Sequence, residues 1–67
     1  MLYVVATVWR KQEEAADTIV LQMHRMVADN TAQAVERATA LGQMDIDDSH
    51  GPGFTKEIHK IATITTS

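Results

Sequence analysis

Apolar and polar positions divide this chain into stretches of different period. Residues 2–9, Leu-Tyr-Val-Val-Ala-Thr-Val-Trp, are β-branched and aromatic, and both alternating sets are largely apolar. One set is Leu2, Val4, Ala6 and Val8, the other Tyr3, Val5, Thr7 and Trp9. Such a run reads as a central strand or one covered on both faces. Covering both faces takes more layers than a chain of 67 residues supplies, so the second face points to a partner. Residues 10–17, Arg-Lys-Gln-Glu-Glu-Ala-Ala-Asp, are polar and read as a solvated hairpin connection.

Two periods fit residues 18–28. As a strand they place Ile19, Leu21, Met23 and Val27 on one face and Val20, Gln22, His24, Met26 and Ala28 on the other. As a helix, Ala16, Ile19, Val20, Met23, Met26 and Val27 recur at three- and four-residue spacing, so one long helix from Glu13 competes. The next segment favours the strand. Asn30 stands three residues before Gln33, as in a capping box, and Gly42 follows Leu41 as a helix stop. A helix over residues 30–41 would bury Thr31, Ala34, Val35, Ala38 and Leu41 and turn Gln33, Glu36 and Arg37 to solvent. Residues 43–53 are acidic and end in Gly-Pro-Gly, the chemistry of a loop. From Phe54 to Thr66 the chain is again β-rich: Phe54, Ile58, Ala62 and Ile64 share one parity and Ile61 the other. The expectation is a single α+β domain over residues 1–67, a small antiparallel sheet packed by one helix in the order β-β-α-β.

Composition narrows what such a domain can do. A chain this short buries only about 60% of the surface its unfolded form exposes, and small domains commonly add disulfides, a metal or a partner subunit. Cysteine is absent, which removes disulfides, thiolate metal sites and thiol nucleophiles and leaves oligomerisation as the available support. Net charge is −3 with no block of like charge, which argues against direct nucleic-acid binding. The apolar run near Met1 precedes Arg10 and Lys11, the reverse of a signal peptide, and is far short of the roughly 20 residues of a membrane span. A cytoplasmic protein without membrane attachment is expected.

Candidate chemistry is sparse. Asp45, Asp47, Asp48 and His50 form an acidic stretch without the glycine and distant glutamate of a calcium loop. His24, His50 and His59 are three imidazoles with no register to join them, although His24 and His59 would sit on neighbouring strands in the ββαβ arrangement. Ser49 beside His50, and the terminal Ser67, lack a nucleophile-elbow pattern, and Glu13 and Glu14 lie in the wet connection. No catalytic residue, metal site or cofactor is assigned. Gly51 and Gly53, flanked by His50 and Lys56, form a candidate anion loop, without the Lys-Ser/Thr of a P-loop. Tyr3 and Met23 read as core, and Trp9, at a strand end beside Arg10, as an interface residue. Candidate ligand or partner contacts are Trp9, Arg10, His24, Arg25, His59 and Lys60, on strand ends and polar faces.

The passage Val27-Ala28-Asp29-Asn30-Thr31-Ala32-Gln33-Ala34, continuing through Glu36-Arg37-Ala38 to Ala40-Leu41-Gly42, resembles small uncharacterised ββαβ domains of bacterial and phage genomes. The resemblance covers most of the chain and brings no activity and no binding residue with it. The leading expectation is a non-enzymatic binding protein, a homo-oligomer that blocks a partner protein or sequesters a small ligand. Phage counter-defence inhibitors of the host cytoplasm are similar to it in size and type. Two alternatives are an accessory subunit, structural or regulatory, of a larger complex, and a metal or anion binder.

Overall fold

The computed structural model describes residues 1–64; Thr65, Thr66 and Ser67 lie outside the described residues. Strand β1 spans Leu2–Lys11, β2 Thr18–Val27, helix α1 Thr31–Ser49 and β3 Thr55–Ile64. The α+β class and the order β-β-α-β are as the sequence predicts. The three strands form one antiparallel sheet in the order β2-β1-β3, so β1 is central. Both outer strands run antiparallel to β1 and therefore parallel to each other, and α1 crosses over β1 to join them. No helix among the described residues is long and apolar enough to cross a membrane.

Strand pairing fixes which side chains share a face. Tyr3, Val5, Thr7 and Trp9 of β1 are buried beneath α1, while the Leu2, Val4, Ala6 and Val8 set is half-buried on the opposite face. The strand is central but covered on one face only. In β2, Val20, Gln22, His24 and Met26 are half-buried on the helix side and Ile19, Leu21, Met23, Arg25 and Val27 are exposed on the open side. A bulge between Val8 and Trp9 leaves Glu57 without a partner on β1 and reverses the parity of β3. Thus Lys56 pairs with Trp9 on the helix side, whereas Ile58, Lys60, Ala62 and Ile64 fall opposite Val8, Ala6, Val4 and Leu2 on the open side. That reversal is why no single parity describes the apolar positions after Phe54.

The helix begins where the sequence predicts. Asn30 is extended, and its Oδ1 accepts from the Gln33 amide at 2.8 Å. Gln33 Oε1 in turn accepts from the Asp29 amide at 2.7 Å. The end differs: α1 runs through Gly42 to Ser49, so the acidic residues 43–49 are helical and not a loop. Ala34, Ala38, Gly42 and Ile46 form the buried stripe at a four-residue spacing, and Leu41 is exposed. Gly42 is therefore a point of close approach and not a cap. Termination comes at residue 50, where the His50 and Gly51 amides both reach Ile46 O, at 2.7 and 3.0 Å. Gly51 takes φ +90°, a conformation that favours glycine, and Pro52 follows.

The core is divided. Tyr3, Val5, Ala28, Ala34 and Ala38 form one cluster, and Trp9, Ile46 and Phe54 a second. Trp9 is 1% exposed, so it is a core residue and not the surface contact expected from its place near a strand end. Met23 is the converse: expected in the core, it is 70% exposed on the open face.

Candidate functional site

Between the two core clusters lies a polar chain under the helix. Trp9 Nε1 donates to Thr7 Oγ1 at 3.0 Å, and Thr7 Oγ1 donates to Gln22 Oε1 at 3.3 Å. Gln22 Nε2 donates to the Gly42 carbonyl at 3.3 Å, and His24 Nε2 lies 3.2 Å from Gln22 Oε1. Thr7 is fully buried, and its hydroxyl is satisfied by this chain. The arrangement seats α1 on β1 and β2; its polar atoms are turned to one another and it forms no cavity. His24 belongs to it and is half-buried on the helix side of β2.

The other histidines are separated by the topology. His24 pairs with Val5 on β2 and His59 with Thr7 on β3, so β1 stands between them and they are not on neighbouring strands. His50 packs edge-on against Phe54, ring centroids 5.9 Å apart, and its Nδ1 lies 2.7 Å from Ser49 Oγ. Ser49 Oγ also donates to the Asp45 carbonyl at 2.7 Å, so the pair sits on the helix end. Among the described residues no group of three or more His, Asp or Glu could hold a metal ion.

The candidate anion loop is not assembled. Lys56 turns away from Gly51 and Gly53 and donates to Thr39 Oγ1 at 2.9 Å, whereas Lys11 packs against Gly53, since a Cβ there would meet its Cε at 3.2 Å. Gly53 itself takes φ +102°, so the glycines serve the turn into β3. Arg10 is engaged along its own rim, with Glu57 Oε1 at 3.0 Å from Nε and Asp17 Oδ2 at 3.6 Å from Nη1. It ties the bulged residue to the hairpin connection.

Apart from the exposed Leu41 and Met44 of α1, two surfaces of the sheet among the described residues offer uncovered apolar side chains. The first is the open face of the sheet. Ile19, Leu21, Met23, Val27 and Ile58 are each more than half exposed there, around the half-buried Leu2, Val4 and Val8 of the central strand. Arg25, opposite Val4, Lys60, opposite Ala6, and Arg10, opposite Ile19, stand on the same face, so three of the six candidate contacts do share a surface. The apolar members went unpredicted, although the odd positions of β2 are visibly more apolar than the even ones. The second surface is a groove of about 770 Å³ between α1 and β3, with Val35 and Ile61 as its apolar floor and Thr39, Lys56 and His59 along its sides. Neither a family model, nor a curated protein sequence, nor a solved structure matches the chain.

Proposed function

We propose that the protein is a non-enzymatic binding protein that works as a homo-oligomer and blocks a partner protein. What supports this is the sidedness of β2. A sheet with one helix on it ordinarily turns its apolar side chains to the helix and its polar ones to water. Here the helix side of β2 mixes Gln22 and His24 with Val20 and Met26, and the side with no cover holds Ile19, Leu21, Met23 and Val27 around Arg25. Exposed apolar surface arranged in register across three strands calls for an apolar layer about 10 Å above it, and a second copy of the same face supplies one. Strand geometry makes the face roughly 15 by 30 Å, and its side-chain relief brings it near the ~600 Å² per partner at the lower end of stable interfaces. Arg25 and Lys60 reach the rim on long apolar stems and keep their charges wet.

Sedimentation velocity and light scattering test the proposal. The protein at tens of micromolar is expected to sediment as an oligomer. Leu21→Lys with Met23→Lys, both on the open face and away from α1, is expected to give a folded monomer by mass and far-ultraviolet circular dichroism. A wild-type chain that stays monomeric up to several hundred micromolar would overturn the homo-oligomer and leave the open face to a different subunit.

A further inference from the structure

We propose that the groove between α1 and the outer edge of β3 binds an extended, acidic and apolar segment of a partner protein, which adds to the sheet as a fourth strand. The inference rests on the reading of the chain as a binding protein and names its partner chemistry; it does not depend on the oligomeric state.

The placement of α1 creates the site. Its buried stripe of Ala34, Ala38, Gly42 and Ile46 sits on Tyr3, Val5 and Trp9 and on the helix side of β2, while on the helix side of β3 Ile61 packs half-buried on the core, Lys56 is half-buried at Thr39 and His59 is exposed. β3 has β1 as its one neighbour in the sheet, so its other edge offers backbone donors and acceptors to an incoming strand. β2 is an edge too, with helix-side residues likewise half-buried, but the groove of Val35, Thr39, Lys56, His59 and Ile61 lies beside β3. There the edge adjoins a trough that can receive alternate side chains of an added strand.

Charge selects the occupant. The β3 bulge turns Lys56 into the groove, where Thr39 Oγ1 accepts from its ammonium at 2.9 Å and is itself held by donating to Val35 O at 2.8 Å. The ammonium keeps two further protons for an acidic side chain, and on the other face of the same strand Lys60 offers a second cation. Glu36 lines the helix rim and disfavours an acid there, which leaves Lys56 as the acid-binding position in a protein of net charge −3. An acidic strand meets both lysines favourably, and Val35 and Ile61 accept its apolar side chains.

The test uses the full-length, isotopically labelled protein and two acetylated octapeptides, one with glutamate and valine at alternate odd positions and threonine between them, so that one face carries both, and one with lysine in place of glutamate. Amide spectra are expected to show saturable shifts with the glutamate peptide, confined to residues 35–43 and 56–61. Lys56→Glu is expected to weaken that binding about tenfold and to favour the lysine peptide instead. If Trp9 fluorescence shows that Lys56→Glu disturbs the fold, Lys56→Gln serves, with weakening but no reversal. Repeating the titration on Leu21→Lys with Met23→Lys separates the two proposals, because the groove should bind equally well whatever the oligomer does. Shifts centred on Leu21, Met23 and Val27, no saturation at millimolar peptide, or indifference to both Lys56 substitutions would overturn the site.

Discussion

Replacing Gly42 by alanine sets two effects of opposite sign against each other. In an exposed helix interior the change gains about 1 kcal/mol, because glycine has the larger conformational freedom to lose. Here the new methyl would fall inside contact distance of Gln22 Oε1, 3.1 Å from Trp9 Cζ2 and 3.3 Å from His24 Nε2. Gln22 is the flexible member and would have to move. Its Oε1 accepts from Thr7, and its Nε2 donates to the Gly42 carbonyl, so moving it disrupts a network that satisfies a fully buried hydroxyl. Overpacking costs about 1–3 kcal/mol, and a buried polar group left without a partner about as much again. Destabilisation by about 2 kcal/mol net is expected, which for a domain of this size lowers the melting temperature by roughly 10 °C. The single tryptophan, buried at the crossing, reports unfolding directly in urea titrations at one fixed protein concentration. Adding Gln22→Ala to Gly42→Ala should recover part of the loss, since it removes the side chain that the methyl strikes. A Gly42→Ala protein as stable as wild type or more so would refute the close-approach reading and return Gly42 to an ordinary helical position.

Three further substitutions probe other parts of the fold by the same titration. Ile46→Ala removes the fully buried anchor between Trp9 and Phe54 and should cost about 2–5 kcal/mol, with the far end of α1 losing amide protection first. Asn30→Ala deletes the cap on the Gln33 amide and should cost about 1 kcal/mol; an unchanged midpoint would mean that Gln33 and water suffice. Arg10→Ala should cost well under 1 kcal/mol, because both of its ion pairs are about two-fifths exposed on each side, and the difference should vanish in molar salt.

Local chemistry made the element order legible. The Asn30 cap with Gln33 correctly separated a strand before it from a helix after it, and the polar run 10–17 marked the hairpin connection, which occupies residues 12–17 because Arg10 and Lys11 pair with Ile19 and Thr18 at the end of β1. Gly42 misled because a glycine that ends a helix and one that lets a helix touch a sheet look alike in sequence; only Trp9, Gln22 and His24 beneath it tell them apart. The face of β1 was undecidable from its own residues, as both parities are apolar. It is decided by α1, which brought Trp9 into the core against Ile46 and Phe54. Among the candidate contacts, the charged residues were placed on the surface correctly, since Arg25 and Lys60 are exposed whichever face they take. Their apolar neighbours were missed because an apolar residue on a strand is read as core unless something shows that its face has no cover.

The two uncovered surfaces have one cause. A helix with its side chains is about 10–12 Å across, and three strands at about 4.8 Å spacing present a wider surface to it. Seated by Gly42 over β1 and β2, α1 covers β3 only in part, with Lys56 and Ile61 half-buried and His59 exposed, and the other face of the sheet receives no helix. The surfaces nevertheless respond differently to the helix. Lifting α1 by adding a methyl at residue 42 changes the depth of the groove, whose Thr39 and Val35 ride on the helix, while Leu21 and Met23 lie on the far side of the sheet. Gly42→Ala should therefore shift the amides around Lys56 and His59 and leave the oligomeric mass unchanged. If that one substitution altered the mass as well, the open face would not be independent of the helix, and the assignment of assembly to one surface and partner binding to the other would fail.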